Sequence, residues 1–354
     1  MQLTDLGWNA FFDKNFESFR SQDFTPARIT RQNRLDYLVV GEQGELACEI
    51  SGRFRHDAEG QGGFPTVGDW VAVSARPQEG KATIHALLPR SSAFLRKVAG
   101  QLTEEQVVAA NIDTVFIVCG LDGNFNLRRI ERYLLLAWDS GAVPVILLNK
   151  ADLCPAAEER QSQVEAIALG VAIHTVSATQ RQGLDALHQH IRPGRTAAFL
   201  GSSGVGKSTI INSLLGVERL QVGAVREDDS RGRHVTTHRE LIILPGGGIV
   251  IDTPGMREIQ VWGDEEGLRQ AFDDIEAIAA ECRFGDCRHL REPGCAVRAA
   301  LDDGSLDAGR FQNFLKLQKE LRYLAARQAM KASAIEKDRW KKISQYARDL
   351  KKKG

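Results

Sequence analysis

Three patterns along the sequence predict a multidomain α/β protein. Five short strands bounded by turn residues follow one another between positions 27 and 86, which suits a small barrel and fits the OB-fold best. From Asn111 onward, continuous apolar runs alternate with amphipathic segments, the pattern of a parallel sheet with flanking helices. Between positions 282 and 295, three cysteines and a histidine crowd together ahead of a Lys/Arg-rich helical stretch, which predicts a small metal-held helical domain. The boundaries expected are 1–27 for an N-terminal arm, 28–100 for the barrel, 101–263 for the α/β domain and 264–354 for the last domain.

Composition narrows the class. With 354 residues, 43% apolar and 26% charged, the chain reads as an ordinary soluble protein long enough for two or three domains. No apolar run approaches the roughly 18 residues of a membrane helix, so no membrane partner is expected. Met1 to Trp8 lacks the basic n-region and apolar core of a secretory signal. Cys48, Cys119 and Cys154 are isolated and Cys282, Cys287 and Cys295 cluster, which suits a reducing cytoplasm and a metal site over a disulfide framework. The net charge of zero conceals a polarity: residues 310–354 hold fourteen Lys/Arg against four Asp/Glu, and the remainder holds 32 basic against 42 acidic residues. A basic tail on an acidic body suits a polyanionic partner.

In chain order, Leu6, Phe11, Phe12, Phe16 and Phe19 recur at near-helical spacing and read as one core-packing arm. The barrel strands are Ala27–Arg31, Leu35–Val40, Glu45–Ile50, Asp69–Val73 and Ala82–Ala86. The long loop after the third places Arg53, Phe54, Arg55 and His56 together, cations with an interleaved aromatic that suit looped or single-stranded RNA. Residues 89–110 read as a link. Then come strands at 112–118, 143–148, 171–176, 195–200, 240–244 and 248–251, with a helix from Arg128 to Trp138.

The chemistry is concentrated at strand ends. Gly201, Ser202, Ser203, Gly204, Val205, Gly206, Lys207, Ser208 and Thr209 match G-x-x-x-x-G-K-[ST] between a strand and a helix, the context a phosphate-binding loop needs. Its glycines turn backbone N–H groups toward phosphate oxygens at a helix N-terminus. Lys207 is expected to reach the β- and γ-phosphates, and Ser208 to hold Mg2+. Asp252, ending a strand before Thr253, Pro254 and Gly255, lies where a carboxylate would hold Mg2+ through water, and Gly255 can offer its N–H to the γ-phosphate. Asn149, Lys150 and Asp152 form N-K-x-D: the Asp152 carboxylate accepts from both N1–H and the exocyclic amine of guanine, a donor pair adenine lacks. The Lys150 stem can cover the base, and Ala178 of the Ser177-Ala178 pair can donate to guanine O6. The ligand is GTP rather than ATP.

The order of these motifs is unusual, since N-K-x-D and S-A precede the phosphate loop. In this the chain resembles the circularly permuted GTPases. With the barrel in front, Pro65-Thr-Val-Gly-Asp-Trp-Val71 within it, Gly232-Arg-His-Val-Thr-Thr-His-Arg239 after the phosphate loop and the cysteine cluster behind, it is similar to the ribosome small subunit-dependent GTPase A family over about residues 25–330. The resemblance implies a circularly permuted P-loop GTPase domain and a role in late small-subunit maturation. It also implies the small ribosomal subunit and its rRNA as partners that accelerate hydrolysis of GTP to GDP. A monomer is expected.

Met256 stands where Ras-like enzymes place the Gln that orients water, and a thioether cannot do that work. His234 is the best local substitute, and the resemblance points the same way. Thr236 or Thr237 would supply the switch hydroxyl to Mg2+, and Arg231 or Arg233 could meet transition-state charge or RNA phosphate. Turnover is therefore expected to be slow until a partner assists. Because 27 residues separate Gly255 from Cys282, a switch movement could pull directly on the last domain. There, Cys282, Cys287, His289 and Cys295 form a closed Cys3His set, which predicts one structural zinc ion. Arg283, Arg288, Arg291 and Arg298 surround it. Two alternatives stay open: a non-catalytic RNA-binding assembly chaperone whose GTPase domain only senses nucleotide, and an ATPase acting on nucleic acid.

Overall fold

Alternation of apolar residues sets up the barrel. A computed structural model of the 354-residue chain describes residues 1–33, 36–58, 63–97, 105–220, 239–252, 265–323 and 325–326. Strands β1 (Thr25–Asn33), β2 (Asp36–Gly41), β3 (Gly44–Ile50), β4 (Trp70–Arg76) and β5 (Lys81–Leu87) pair in the order β1-β2-β3-β5-β4. A further β1–β4 pairing closes the ring, and β3 runs parallel to β5. This is the five-stranded barrel that the sequence predicts, with Ile29, Val39, Leu46, Val71 and Ile84 filling its interior.

β4 is buried on both faces because something covers its outside. Val71 and Val73 point into the barrel, whereas Trp70 and Ala72 point into a second cluster with Leu6, Phe12 and Phe16. That cluster comes from the N-terminal arm, which is a 3-10 turn at Leu3–Leu6 followed by helix α1 (Ala10–Arg20), not one continuous helix. Gly7 adopts φ 88° and ends the turn, and the Asn9 side chain accepts from the N–H groups of Phe11 and Phe12 to start α1. Phe12 and Phe16 are buried, while Phe11 stays 42% exposed.

Two other expectations are corrected. Residues 89–110 are not a bare link: β6 (Ala93–Lys97) and β7 (Glu105–Ala110) form an antiparallel ribbon. The Arg53 to His56 stretch is a short helix, α2 (Gly52–Asp57), capped by Ser51. The Phe54 ring packs against the barrel core and so is not offered as a stacking platform, while Arg53 and His56 lie exposed beside Asp57.

The barrel sheet continues into the α/β sheet. Beyond the edge of β1 run β12 (Arg239–Ile243), β13 (Ile249–Asp252), β11 (Thr196–Leu200), β8 (Thr114–Gly120), β9 (Val143–Asn149) and β10 (Ala172–Thr175). The pairs from β13 to β10 are parallel, β12 is antiparallel to β13, and β1 meets β12 through Arg31↔Glu240 and Gln32↔Arg239. Helices α3 (Leu127–Ser140), α4 (Ala157–Glu165) and α5 (Lys207–Leu215) are the described helices of this region. Met1–Gln260 form one compact unit.

A buried cation holds the joint. The Arg28 side chain, 1% exposed, donates to the carbonyls of Leu6 (2.5 Å), Gly68 (3.1 Å) and Asn111 (3.0 Å), one each from the arm, the barrel and the chain entering β8. Burial pulls its pKa down to about 10, with Asp113 and Asp69 drawing it back up, so it remains charged at neutral pH. A Cβ on Gly68 (φ 92°) would lie 2.1 Å from the Ala110 carbonyl oxygen, so only glycine lets the barrel approach this closely. Beside it, fully buried Asp69 takes two bonds from Arg90 at 2.8 Å and one from the Thr66 N–H at 2.8 Å. Thus the Pro65 to Val71 motif builds the joint.

The second unit, Val261–Gly354, holds α6 (Glu265–Ala271), α7 (Asp273–Ala280), α8 (Ala296–Asp302) and α9 (308–323). Phe272, Ile275, Val297, Phe311 and Phe314 are buried there. Arg310, 3% exposed, grips Asp274 with two bonds of 2.7 and 2.6 Å while its guanidinium lies 4.7 Å from the Phe272 ring. Among the described residues, no helix is long and apolar enough to cross a membrane. Most of the basic stretch, residue 324 and 327–354, lies outside the described residues.

Arg28→Met strands three buried carbonyls and is expected to cost the first unit about 3–5 kcal/mol. Chemical denaturation followed by tryptophan fluorescence, with Trp8 and Trp70 as reporters in the arm cluster, measures this. A loss below about 1 kcal/mol would mean that other donors replace the guanidinium.

Candidate functional site

In a parallel sheet, the carboxyl ends of the strands gather their loops at one edge. β11 ends at Leu200 and leads into the glycine-rich loop, β9 ends at Asn149, β10 ends just before Ser177, and β13 ends at Asp252. The four motifs therefore meet although they are far apart in sequence.

Asn149 is the residue that ties three of them. It is 2% exposed, its Nδ2 donates to the Val205 carbonyl at 2.8 Å, and its Oδ1 accepts the Ala178 N–H at 3.0 Å. Gly206 (φ 100°) is obligatory for this, because a Cβ there would sit 2.2 Å from Asn149 Nδ2. One difference from expectation follows: the Ala178 N–H already has a partner in Asn149. Ser177 is buried, accepts the Gln180 N–H at 3.2 Å and lies 3.2 Å from the Thr179 hydroxyl. It shapes the loop that presents Ala178.

The phosphate-type loop follows from its glycines, Gly201, Gly204 and Gly206 all having positive φ. Val205 is buried against the sheet, and Ser203 and Gly204 are exposed at the tip. Lys207 Nζ lies 2.6 Å from the carbonyl oxygens of both Gly201 and Ser202, so its cation is held within the loop. Ser208 and Thr209, in the first turn of α5, are half-buried, as is Asp252. Lys150 sits at φ 67° and its Nζ reaches Asp122 Oδ2 at 2.6 Å; Asp152 is exposed. The hydrogen bond from Lys150 holds the Asp122 carboxyl below the usual carboxylate range. Gly255, Met256, Arg231, Arg233, His234, Thr236 and Thr237 lie outside the described residues.

The second unit carries the other site. Cys282, Cys287, His289 and Cys295 place their ligand atoms within 4.8 Å of one another. Cys282 Sγ is 3.9 Å from Cys295 Sγ, and His289 Nδ1 is 3.6 and 3.4 Å from those two sulfurs. A tetrahedral zinc with ordinary bond lengths needs S···S near about 3.8 Å and S···N near about 3.6 Å, so the donor set fits. His289 takes φ 59° to enter the set, and Cys295 caps α8, accepting the Arg298 N–H at 3.4 Å. The four residues could hold a metal ion.

Sequence reasoning missed the polar groups between β8 and α3. Asp122, Asn124 and Arg129 lie beside the strand-end loops, and Arg129 Nη1 donates to Ser202 Oγ at 2.5 Å. Their position after a strand that ends at the ligand edge was the available signal.

Known proteins share this arrangement. A family model described as RsgA GTPase matches residues 87–262. A small ribosomal subunit biogenesis GTPase RsgA of Opitutus terrae is 49% identical over 357 residues, spanning 98% of this chain and 97% of that protein. The crystal structure of YjeQ from Thermotoga maritima aligns with a TM-score of 0.64 at 25% identity, over 84% of this chain and 98% of that one. YloQ, a circularly permuted GTPase, aligns with a TM-score of 0.62 at 24% identity over 84% and 95%, a likeness of fold.

A pH dependence follows from the strand beneath Ser177. His174 on β10 and His190 set their Nε2 atoms 2.9 Å apart, and burial holds both below the usual imidazole value of 6.5. Two neutral rings can share one proton there; two charged rings cannot. Protons therefore favour the unfolded chain, so the contribution is complete above about pH 6.5 and is lost as pH falls through the depressed values. Thermal midpoints measured from about pH 7.5 down to about pH 5.5 should fall less steeply for His190→Gln than for the wild type. Equal slopes would remove the pair from the pH response.

Proposed function

The chain belongs to the RsgA GTPase family, and from that membership we propose that it hydrolyses GTP to GDP and phosphate in late maturation of the small ribosomal subunit, binding rRNA and being stimulated by the subunit. The single observation that carries the reading is Asn149, which joins N-K-x-D, S-A and the phosphate loop at one edge of the parallel sheet. Base recognition upstream and phosphate binding downstream thereby become one site.

In this reading Asp152, exposed at the end of its loop, accepts the guanine N1–H and exocyclic amine, which excludes adenine. Lys150, held by Asp122, lays its stem along the base. Lys207 moves its cation from loop carbonyls to phosphate oxygens. Ser208 and Asp252, with Thr236 or Thr237, would hold Mg2+. When bound, that ion screens the charge of the phosphates and supports departure of GDP. Gly255 offers its N–H to the γ-phosphate, and His234 orients water in place of the glutamine that Met256 replaces. Zinc in the Cys282, Cys287, His289 and Cys295 set would supply folding energy to a unit with a small core. The protein would act in the cytoplasm as a monomer.

GTP turnover with and without purified small subunits tests the reading. Slow intrinsic hydrolysis should rise by at least about tenfold with subunits; no rise would remove the ribosomal partner and leave the GTPase. Lys207→Ala separates the enzyme from the chaperone reading: normal subunit binding together with normal rescue of maturation would sink the enzyme.

Metal analysis of purified protein is expected to give one zinc per chain. Cys287→Ser should lower that content and expose the second unit to proteolysis, because three ligands leave the tetrahedron open. Full protection without zinc would show that the helices suffice.

A further inference from the structure

The connection from β8 to α3 carries polar groups that the proposed nucleotide roles do not use. It leaves β8 at the edge where the nucleotide loops gather. The Leu121 N–H is fixed on the Asn149 carbonyl at 2.8 Å, and the Asn126 side chain caps α3 by accepting the Arg129 N–H at 3.0 Å. Both ends of the segment are thereby pinned, and what lies between them is held in place.

Four contacts run through it without a gap. Lys150 Nζ, from the base-recognition loop, meets Asp122 Oδ2 at 2.6 Å. Asp122 Oδ1 accepts the Asn124 N–H at 3.0 Å. Asn124 Oδ1 accepts from Arg129 Nη1. The same Nη1 donates to Ser202 Oγ at 2.5 Å, in the phosphate loop. We propose that Asp122, Asn124 and Arg129 form a positioning bridge that locks the base-recognition loop to the phosphate loop, so that each half of a guanine nucleotide is bound more tightly because the other half is in place. The proposal rests on the nucleotide reading given above.

Its physics differs from that of Asn149. Asn149 is buried and joins backbone groups, so it is part of the fold of the site. The bridge lies at the flank and is partly solvated, with 27% and 31% of the Lys150 and Asp122 side chains exposed. It is made of two charge-assisted contacts with an amide between them. Such contacts hold side-chain geometry without deciding whether the domain folds. Lys150 needs this hold because its long stem would otherwise sample many rotamers. Arg129 also sets a permanent cation against a loop whose proposed ligand is anionic. Removing either end therefore frees the same chain of contacts, and removing both frees little more. Asp122, Asn124 and Arg129 act through Lys150 and Ser202 and are positioning residues.

A double-mutant cycle on release of a fluorescent GDP analogue tests this. Asp122→Asn and Arg129→Gln should each speed release by about 5- to 30-fold, while the thermal midpoints of the free proteins stay within about 2 °C of wild type. The double variant should release no more than about twofold faster than the quicker single variant. A double variant whose acceleration is the product of the two single effects would overturn the bridge, as would singles that release at the wild-type rate. A drop in thermal midpoint that tracks the release rates would also overturn it, since the residues would then merely support the fold. Failure of wild-type protein to bind the GDP analogue would instead overturn the nucleotide reading, which keeps the two failures apart.

Discussion

The first unit depends on a cation that meets no carboxylate. Arg28 puts its guanidinium among the carbonyls of Leu6, Gly68 and Asn111, which belong to three segments that would otherwise end as unpaired polar groups at a joint. Buried carbonyls without donors are costly, and so is a buried cation without acceptors; each offsets the other here. Asn111 serves the same joint from the other side, its φ of 56° letting Nδ2 donate to the Gly68 carbonyl at 3.0 Å while Oδ1 accepts the Ser91 N–H at 2.9 Å. The barrel is thus fastened to the α/β sheet by hydrogen bonds of fixed direction. That fastening permits β1 to serve two sheets, closing the barrel with β4 on one side and pairing with β12 on the other.

This shared strand gives the barrel a position in the chemistry. β12 is the strand entered directly from residues 221–238, where the sequence places the switch. Glu240 on β12 accepts from Arg31 of the barrel at 2.7 Å and from Arg219, past the end of α5, at 2.8 Å. One carboxylate therefore touches the barrel and the segment that follows the phosphate-loop helix. A displacement of β12 would have to break or carry both pairs. Partly exposed pairs of this kind are weak singly, so their value lies in register, which the backbone pairing of Arg31 with Glu240 reinforces.

How much of this was legible follows from the range of the interactions. The barrel strands, the strands from β8 to β13 and the helix after the phosphate loop are fixed by local alternation and by glycines, and all of them can be read directly. The ribbon β6–β7 could not, because Ala93–Lys97 and Glu105–Ala110 have no alternation strong enough to separate a strand from a link. Phe54 was misjudged for a related reason: its neighbours Arg53 and His56 suggest a polar loop, but Ser51 starts a helical turn that points the ring into the barrel. Arg28 gave no local sign, since a cation in a strand reads as a solvated face until the arm and the 111 region are folded onto it. The strand-end motifs Asn149, Ser177 and Gly201 to Thr209 were legible as residues, but the bonds among them were not, because they span up to 56 positions of sequence.

Those long spans also account for the tolerance of the permuted order. The residues that meet at the site are brought by the carboxyl ends of four strands, and the sheet order β10-β9-β8-β11-β13 is set by hydrogen bonding between neighbours, not by which neighbour is made first. Asn149 closes the arrangement with side-chain bonds to Val205 and Ala178 that carry no memory of chain direction. What order does determine is where the chain goes next. Because base recognition precedes the phosphate loop, the last strand of the sheet, β13, ends in Asp252 and the chain then leads into the unit that carries Cys282, Cys287, His289 and Cys295. In the unpermuted order more sheet would follow that strand. Permutation thus leaves the nucleotide site intact and changes what is attached to its phosphate-sensing end, a covalent consequence that packing alone would not produce.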